Sequence, residues 1–500
     1  MKLSTLIEGI QCNTRTLPEI DPTIEALCFD SRKVTPGGLF VAICGTQSDG
    51  HQYITQAIER GAVAVLCEKI PEGVTTAAPN NEEIQKGALR QIPYILVKNS
   101  REALGWVASA FYGHPSRALK LVGVTGTNGK TTTVTLLYRL FTSMGYACGL
   151  ISTIENYIDN IRLPSHHTTP DALELNQLLS NMVSRGCTCC FMEVSSHAAD
   201  QGRVAGLSFA GAVFSNLTHD HLDYHQTFAE YLRCKKQLFD NLSSDAFALV
   251  NSDDKNGKVM LQNCAAQQYD YACKRLAHFT CRVVEQSIEG MLLRIDGAEL
   301  STPFIGRHNG YNLLAVYGVA RLLGAEKEEV LRLLSTLKSV SGRLEYLTGK
   351  KGITAVVDYA HTPDALENVL STLQEIVVPE QALYTVVGCG GDRDKTKRPK
   401  MARIAFENST QVVFTSDNPR TENPMDILND MLEGLTPQER DHCLIIPDRR
   451  EAIKTSILMA PPKSIILVAG KGHEDYQIVN NVKSHFDDKE VIREFLETDS

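Results

Sequence analysis

One heptapeptide constrains the fold of this chain more than any other stretch. Residues 126–132 read Gly-Thr-Asn-Gly-Lys-Thr-Thr. The apolar run Leu119–Val124 before it predicts a strand. Val134, Leu137, Tyr138 and Phe141 after it form one helical stripe, which Gly145 is placed to end. A glycine turn at such a junction brings backbone amides to a phosphate at the positive end of the helix. Lys130 can reach the β and γ phosphates, and the Thr131 hydroxyl can take Mg²⁺. The usual spacing of such loops needs glycine at position 124; Val124 stands there, and Gly123 comes one place early. Gly126, Thr127, Asn128, Gly129, Lys130, Thr131 and Thr132 are therefore read as a variant phosphate loop, with Lys130 as the residue that reaches the phosphates. A plain glycine turn is the competing reading, and the flanking strand and helix, the lysine and the threonines disfavour it.

Strands and helices alternate through the rest of the chain, which implies an α/β fold with parallel sheets and right-handed crossovers. At about 150 residues per domain, 500 residues suggest three. The expected division is 1–98, a small α/β domain; 99–341, a central mostly parallel sheet carrying the phosphate loop; and 342–500, a Rossmann-like domain. In the first, Leu39–Ile43, Ala62–Cys67 and Ile92–Val97 read as strands, Tyr53–Arg60 as a helix and Thr75–Gly87 as a polar loop. The second opens on a helix, Arg101–Tyr112. In the third, Ile353–Val357, Leu383–Val387, Val412–Thr415 and Ile465–Val468 read as strands, each running into a polar or glycine-rich turn. Ligands of such sheets sit at the carboxyl ends of the strands, so those turns are site candidates.

A net charge of −9 disfavours wrapping of nucleic acid. No apolar run approaches the roughly 20 residues of a membrane span. Met1–Thr16 lacks the apolar core of a secretory leader. The 14 cysteines are scattered, as suits a reducing cytoplasm. Cys187, Cys189 and Cys190 cluster within an apolar segment and read as small buried hydrophobes rather than metal ligands.

Further motifs add chemistry. Met-Glu-Val-Ser-Ser-His, 192–197, puts Glu193 at the end of a strand, where a second Mg²⁺ ligand belongs; a strand-end salt bridge is the alternative. Residues 215–225 hold three histidines and two aspartates within seven positions. They are read as lending one histidine to the metal, against a polar loop whose histidines bond the backbone. On a helix over Thr227–Phe239, the apolar face is Phe228, Tyr231, Leu232, Leu238 and Phe239. Lys235 falls in its centre and Lys236 at its edge. A buried lysine must lose its charge, find a partner, be modified, or snorkel to the surface. The third region offers Asp358-Tyr359-Ala360-His361, Gly390 to Lys395, Asp417-Asn418-Pro419-Arg420 and Gly470-Lys471-Gly472-His473-Glu474. Arg393 and Arg420 supply forks for carboxylates, and Asp417 and Glu474 acceptors for ammonium groups. Together they suit an amino acid with more than one carboxylate.

These motifs, with Asp30-Ser31-Arg32 and His167-Thr168-Thr169-Pro170, resemble in their order the Mur ligases, ATP-dependent amide-bond ligases of peptidoglycan synthesis, and most of all their diamino-acid-adding MurE type. The resemblance implies that Ser31 and Gln47 hold the uridine part of a UDP-N-acetylmuramoyl-dipeptide. Thr168, Thr169, Ser195, Gln201 and Arg203 would hold its peptide end. Asn309, Arg343 and Asp358 would reach ATP. Lys235 would carry a carbamate and join Thr131, Glu193 and His221 around Mg²⁺. Arg393, Asp417, Asn418, Arg420, Gly470 and Glu474 would bind the amino acid, and Arg420 is the mark of meso-diaminopimelate rather than L-lysine. The family often has Phe where His308 stands here. The expected enzyme is a cytoplasmic monomer, without nucleic acid or membrane insertion, whose domains close over an acyl phosphate while His221 or Asp220 assists the amine. L-lysine in place of diaminopimelate, another Mur ligase, a folylpolyglutamate synthase, a metal-dependent phosphohydrolase and an ATP-driven switch are the competing readings.

Overall fold

The computed structural model describes residues 1–10, 12–16, 19–45, 48–72, 92–165, 167–218 and 222–497. The loop expected at Thr75–Gly87 lies outside them, as do Gln47, His219, Asp220 and His221. The chain forms two compact units: residues 1–126, 137–215 and 221–269, and residues 127–136, 216–220 and 270–500.

The first unit holds two sheets. The smaller comprises β1 (Cys12–Arg15), β2 (Ala26–Cys28), β3 (Gly38–Val41), β4 (Ala62–Cys67) and β5 (Tyr94–Val97), in the order β1-β5-β4-β3-β2. Strands β2 to β5 run parallel, and β1 is antiparallel at the edge. Strand β5 starts after Pro93, two residues later than Ile92, because proline has no N–H for the ladder. The expected helix at Tyr53–Arg60 divides into a 3₁₀ turn, Gly50–Tyr53, capped by Asp49, and an α-helix, Ile54–Glu59.

The larger sheet is built on β6 (Lys120–Thr125), β7 (Cys148–Ile151), β8 (Glu155–Ile158), β9 (Ile161–Pro164), β10 (Cys189–Glu193), β11 (Gly211–Phe214) and β12 (Phe247–Asn251), in the order β9-β8-β7-β10-β6-β11-β12. The five strands from β7 to β12 in that order are parallel, with β8 and β9 an antiparallel extension. Cys187, Cys189 and Cys190 are buried in and beside β10, as expected of small hydrophobes. Cys148 on β7 pairs in register with Cys189. All fourteen cysteines are free, and nine are buried.

Strand β13 (Gln267–Ala272) leads along the chain into the second unit and an antiparallel meander, β14 (Phe279–Ser287), β15 (Gly290–Ile295) and β16 (Ala298–Thr302). The helix Arg307–Leu322 follows. The main sheet of this unit comprises β17 (Glu345–Thr348), β18 (Thr354–Asp358), β19 (Leu383–Val387), β20 (Gln411–Phe414), β21 (Cys443–Ile445) and β22 (Ile465–Ala469), in the order β17-β18-β22-β19-β20-β21. Only β17 is antiparallel. Sequence periodicity predicts β18, β19, β20 and β22 within a residue but misses the short, half-exposed edges β17 and β21. Both faces are covered: Val356 and Leu467 pack into one core, and Ala355, Val357 and Ile466 into the other. This is the doubly covered sheet that continuous apolar strands require. The four predicted strands are neighbours, so their turns meet at one edge. A hairpin, β23 (Tyr476–Val479) and β24 (Val482–His485), lies beside them, bridging to Arg420. Among the described residues, no helix is long and apolar enough to cross a membrane.

Candidate active site

In the first unit a cavity of about 750 Å³ opens between the small sheet and the helical segments after it. Phe29, Ser31, Arg32, Tyr53, Gln201 and Arg203 are among its lining residues. The Ser31 hydroxyl donates to Gln56 Oε1 at 2.7 Å. Phe29 and Tyr53 are large aromatics left 37% and 42% exposed, as a stacking surface for a flat base would be. Neither stands out in the sequence, because a single aromatic in a loop or at the edge of a helix carries no periodic signal.

Arg203 leads from the cavity to the strand ends. Its Nη1 donates to Thr169 O at 2.7 Å and its Nη2 to Gln201 Oε1 at 2.7 Å. Thr169 Oγ1 donates to Glu193 O at 2.8 Å and accepts from Ser195 N at 3.2 Å. The Ser195 hydroxyl caps the short helix Ser196–Asp200. Thr168 accepts from Thr153 Oγ1 at 3.1 Å. Of the five residues expected at the peptide end of the substrate, Thr169, Ser195, Gln201 and Arg203 form one hydrogen-bonded run, and Thr168 adjoins it along the chain.

Glu193 is fully buried at the end of β10. Its Oε1 accepts from Thr153 N at 2.8 Å, and its Oε2 has no hydrogen-bond partner. An orphaned carboxylate oxygen in so dry a place is a poor neighbour for anything but a cation or donor. Lys235 sits on the helix Phe228–Asp240, which begins at the Thr227 cap. It is 1% exposed, so it does not snorkel. Its Nζ donates to Gly126 O at 2.8 Å and lies 4.6 Å from the Tyr231 ring centroid. Lys236, at the edge of the face, pairs with Asp240. His225, the last member of the histidine cluster, is buried, with Nε2 2.9 Å from the Ser196 hydroxyl.

The phosphate loop begins at Gly126, the last residue of the first unit's opening segment, and Thr127–Leu136 belong to the second. Gly126 and Gly129 have φ of 148° and 88°, conformations that side chains rarely adopt. Asn216 staples the turn: its carbonyl accepts from Thr127 N at 2.8 Å, and its Oδ1 from Asn128 N at 2.9 Å. Lys130 opens the helix Lys130–Ser143, and its Nζ donates to Thr127 O at 2.9 Å. Thr131 and Thr132 are buried. A Cβ at Gly129 would stand 2.5 Å from Asn312 Oδ1, so the loop touches a residue that no motif marks. Asn309 orients it, accepting from Asn312 Nδ2 at 3.0 Å while donating to Ile305 O at 2.9 Å.

At the end of β18, Asp358 accepts from Leu344 N at 2.8 Å. Burial pushes its carboxyl up to about 6, against the opposing pull of Arg343. Arg343 lies 4.9 Å from the Tyr359 ring centroid. Its Nε and the Nδ1 of His473 are buried without partners. Burial, aided by Arg343, brings His473 down to about 3, so it is neutral.

The turns after β19, β20 and β22 do converge. Asp417 is buried beneath Gly470, whose φ is 116° and whose added Cβ would lie 2.6 Å from Asp417 Oδ2. Asn418 Nδ2 donates to Glu474 Oε2 at 2.8 Å. Arg420 has φ of 54° and its backbone N–H donates to Ile478 O at 3.0 Å. Its Nη1 donates to Gly391 O at 2.7 Å, so the guanidinium is anchored by main chain rather than by an acid. Arg393 is exposed, and its guanidinium pairs with nothing among the described residues. Burial first, and then Asp417, raises the Glu474 carboxyl above its usual range. Beneath the turns lie buried cations that sequence reading missed. Arg449 pairs with Asp488 at 2.7 Å while donating to Ser416 O and Ala469 O. Arg398 holds Glu422 and Gly390 O. Nothing in a lone arginine of an amphipathic helix distinguishes these from surface charges.

Three family descriptions match the chain: "Mur ligase family, catalytic domain" over residues 23–112, "Mur ligase middle domain" over 124–320, and "Mur ligase, glutamate ligase domain" over 342–472. A UDP-N-acetylmuramoyl-L-alanyl-D-glutamate--2,6-diaminopimelate ligase of Phocaeicola vulgatus is 51% identical over 496 residues, 99% of each chain. One of Cytophaga hutchinsonii is 53% identical over 478 residues, 96% of each. A solved structure of a ligase of that name superposes with a TM-score of 0.69 at 32% identity, covering 99% of both chains. A Thermotoga maritima MurF ligase in complex with ADP shares the fold, with a TM-score of 0.59 at 18% identity over 95% of this chain and 97% of that one.

Proposed function

Because this chain belongs to the Mur ligase family and is an ATP-dependent amide ligase, we propose that it joins meso-diaminopimelate to UDP-N-acetylmuramoyl-L-alanyl-D-glutamate in peptidoglycan precursor synthesis. The Asp417-Asn418-Pro419-Arg420 turn carries this reading. It presents a main-chain-anchored guanidinium beside the buried carboxylate of Asp417 and the half-buried one of Glu474, which is the complement of an amino acid with a second carboxylate and a second ammonium group. Regions 1–98, 99–341 and 342–500 take the nucleotide substrate, ATP and the amino acid respectively.

A carboxylate is too poor an acyl donor to meet an amine directly. Its oxygen attacks the γ-phosphorus of ATP, the bond to ADP breaks, and an acyl phosphate forms. The neutral amine then attacks the acyl carbon, the amide forms, and phosphate and one proton leave. Lys130, the loop amides and Arg343 offset charge on the transferred group. Arg203, Thr168, Thr169, Ser195 and Gln201 hold the peptide end, and Ser31, Gln47, Phe29 and Tyr53 the uridine end. Asn309, through Asn312, and Asp358 serve the ATP side. Arg393 and Arg420 take carboxylates; Asp417, Asn418, Gly470 and Glu474 shape the ammonium side. His221 or Asp220 assists the amine.

The orphaned Glu193 oxygen fits a cation. Glu193, Thr131, His221 and a carbamate on Lys235 would hold Mg²⁺, which supplies charge neutralisation to the phosphates. A carbamate keeps one N–H on Nζ, enough to preserve the bond to Gly126 O, and turns a buried cation into an anion. The protein works in the cytoplasm as a monomer.

ADP release with the muramoyl-dipeptide nucleotide, with and without amino acid, tests the whole reading. Turnover should require meso-diaminopimelate. Phosphate release without it would mean a hydrolase; slow release indifferent to both substrates would mean a switch.

A further inference from the structure

Lys471 follows Gly470 in the turn after β22 and has no exposed surface at all. A lysine so placed cannot snorkel, and its charge is costly unless paired and hydrogen-bonded. The pairing is specific. Nζ lies 3.1 Å from Asn418 Oδ1, 3.4 Å from Glu474 Oε2 and 5.4 Å from the Tyr476 ring centroid.

The ammonium group fixes two neighbours at once. Asn418 Oδ1 faces two donors, Lys471 Nζ and the Ile478 N–H at 3.0 Å. The Asn418 amide must therefore turn its Nδ2 to Glu474 Oε2. Glu474 Oε2 is filled by Asn418 and Lys471, while Oε1 receives only a long bond of 3.4 Å from the Tyr359 hydroxyl. One oxygen of Glu474 is spent on the protein, and the other is left aimed for an incoming group. Burial and the neighbouring Asp417 charge raise the Glu474 carboxyl, and Lys471 opposes them.

We infer that Lys471 is a positioning residue of the amino-acid site: its buried ammonium sets the Asn418 amide and holds Glu474 ready for a substrate ammonium group. This rests on the reading of that corner as the amino-acid site. Lys471 itself has no free face for substrate.

The test uses the full chain as Lys471→Met, Lys471→Gln, Glu474→Gln and the double variant Lys471→Met/Glu474→Gln, in steady-state ADP release with the amino acid varied. Lys471→Met should raise KM for meso-diaminopimelate about 10- to 100-fold, the scale of a lost charged hydrogen bond. KM for ATP, and kcat at saturating amino acid, should stay within about threefold. In the Glu474→Gln background the same change should cost less than about threefold, because its route of action is gone. Additive losses, or equal losses on ATP and amino acid, would overturn the inference. So would failure of both the Met and the Gln variant to fold, which would make Lys471 a structural residue only. A wild type that uses L-lysine and ignores meso-diaminopimelate would refute the substrate reading alone; the coupling of 471 to 474, measured on whichever amino acid reacts, still decides the role of Lys471.

Discussion

In the proposed reading the phosphate loop offers its ligand main-chain amides, in a turn held in shape by Asn216 and two positive-φ glycines. At the corner proposed for the amino acid the groups offered are side chains, held by buried cations: Lys471 under Asn418 and Glu474, Arg449 under the segments after β20 and β22, and Arg398 under Gly390. The contrast follows from the ligands. Every nucleotide phosphate is alike, and a row of amides at a helix start recognises it whatever is attached. A diamino diacid differs from lysine by one group, and only fixed, charged side chains can demand that group. Recognition of this second kind carries an internal charge balance, which must be built before the substrate arrives.

The contrast can be broken by experiment, beginning where the largest effect is expected. Lys130→Ala should lower kcat by at least about a thousandfold, since it removes the side-chain cation that the loop itself supplies to the transferred phosphoryl group; a folded variant with unchanged turnover would end that assignment. Lys235→Ala should lose about a hundredfold or more, with partial recovery on adding short carboxylates or bicarbonate, read by ADP release; a wild-type crystal structure showing a bare ammonium in bicarbonate would remove the carbamate. Arg420→Ala should erase most of a preference for meso-diaminopimelate over L-lysine of about a hundredfold while sparing ATP binding. Competition kinetics measure it, and a variant that still discriminates fully would mean that Arg393 alone reads the carboxylate.

Gly470→Ala sharpens the comparison from the backbone side. Its Cβ would strain a φ of 116° and press on Asp417 Oδ2 at 2.6 Å. KM for the amino acid should rise about tenfold, with KM for ATP unmoved. The smallest effect is one of pH. Asp358 has its carboxyl raised to about 6 against an ordinary 3.8. The folded state then holds more protons than the unfolded one between those values, so stability should fall as pH rises from about 4 to about 6. Asp358→Asn should flatten that slope in thermal melts, by under about 3 kcal/mol.

Local signals carried much of this to the reader of the sequence. Ala62–Cys67 and Leu383–Val387 are strands with the bounds their apolar runs predict. Lys235 lies buried where helical geometry put it, because one face of a helix is a property of one segment. What escaped notice depends on segments far apart in the chain. Asn312 meets Gly129 across more than a hundred residues, and Lys471 meets Asn418 across 53. Phe29 and Tyr53 line a cavity that exists only once two regions fold together. A lone lysine in a glycine-rich turn reads as solvent-exposed until the turn is seen from beneath.

The free cysteines give this molecule an internal set of gauges. Cys67 is buried in the smaller sheet of the first unit, Cys148, Cys189 and Cys190 in the larger, and Cys389 at the end of β19 in the second. None can meet a thiol reagent until its own surroundings open. The rate at which each is trapped, resolved by peptide mass, therefore reports the local opening free energy of its sheet with no label or mutation introduced. Repeating the trapping with nucleotide or amino acid would show which sheet each substrate closes.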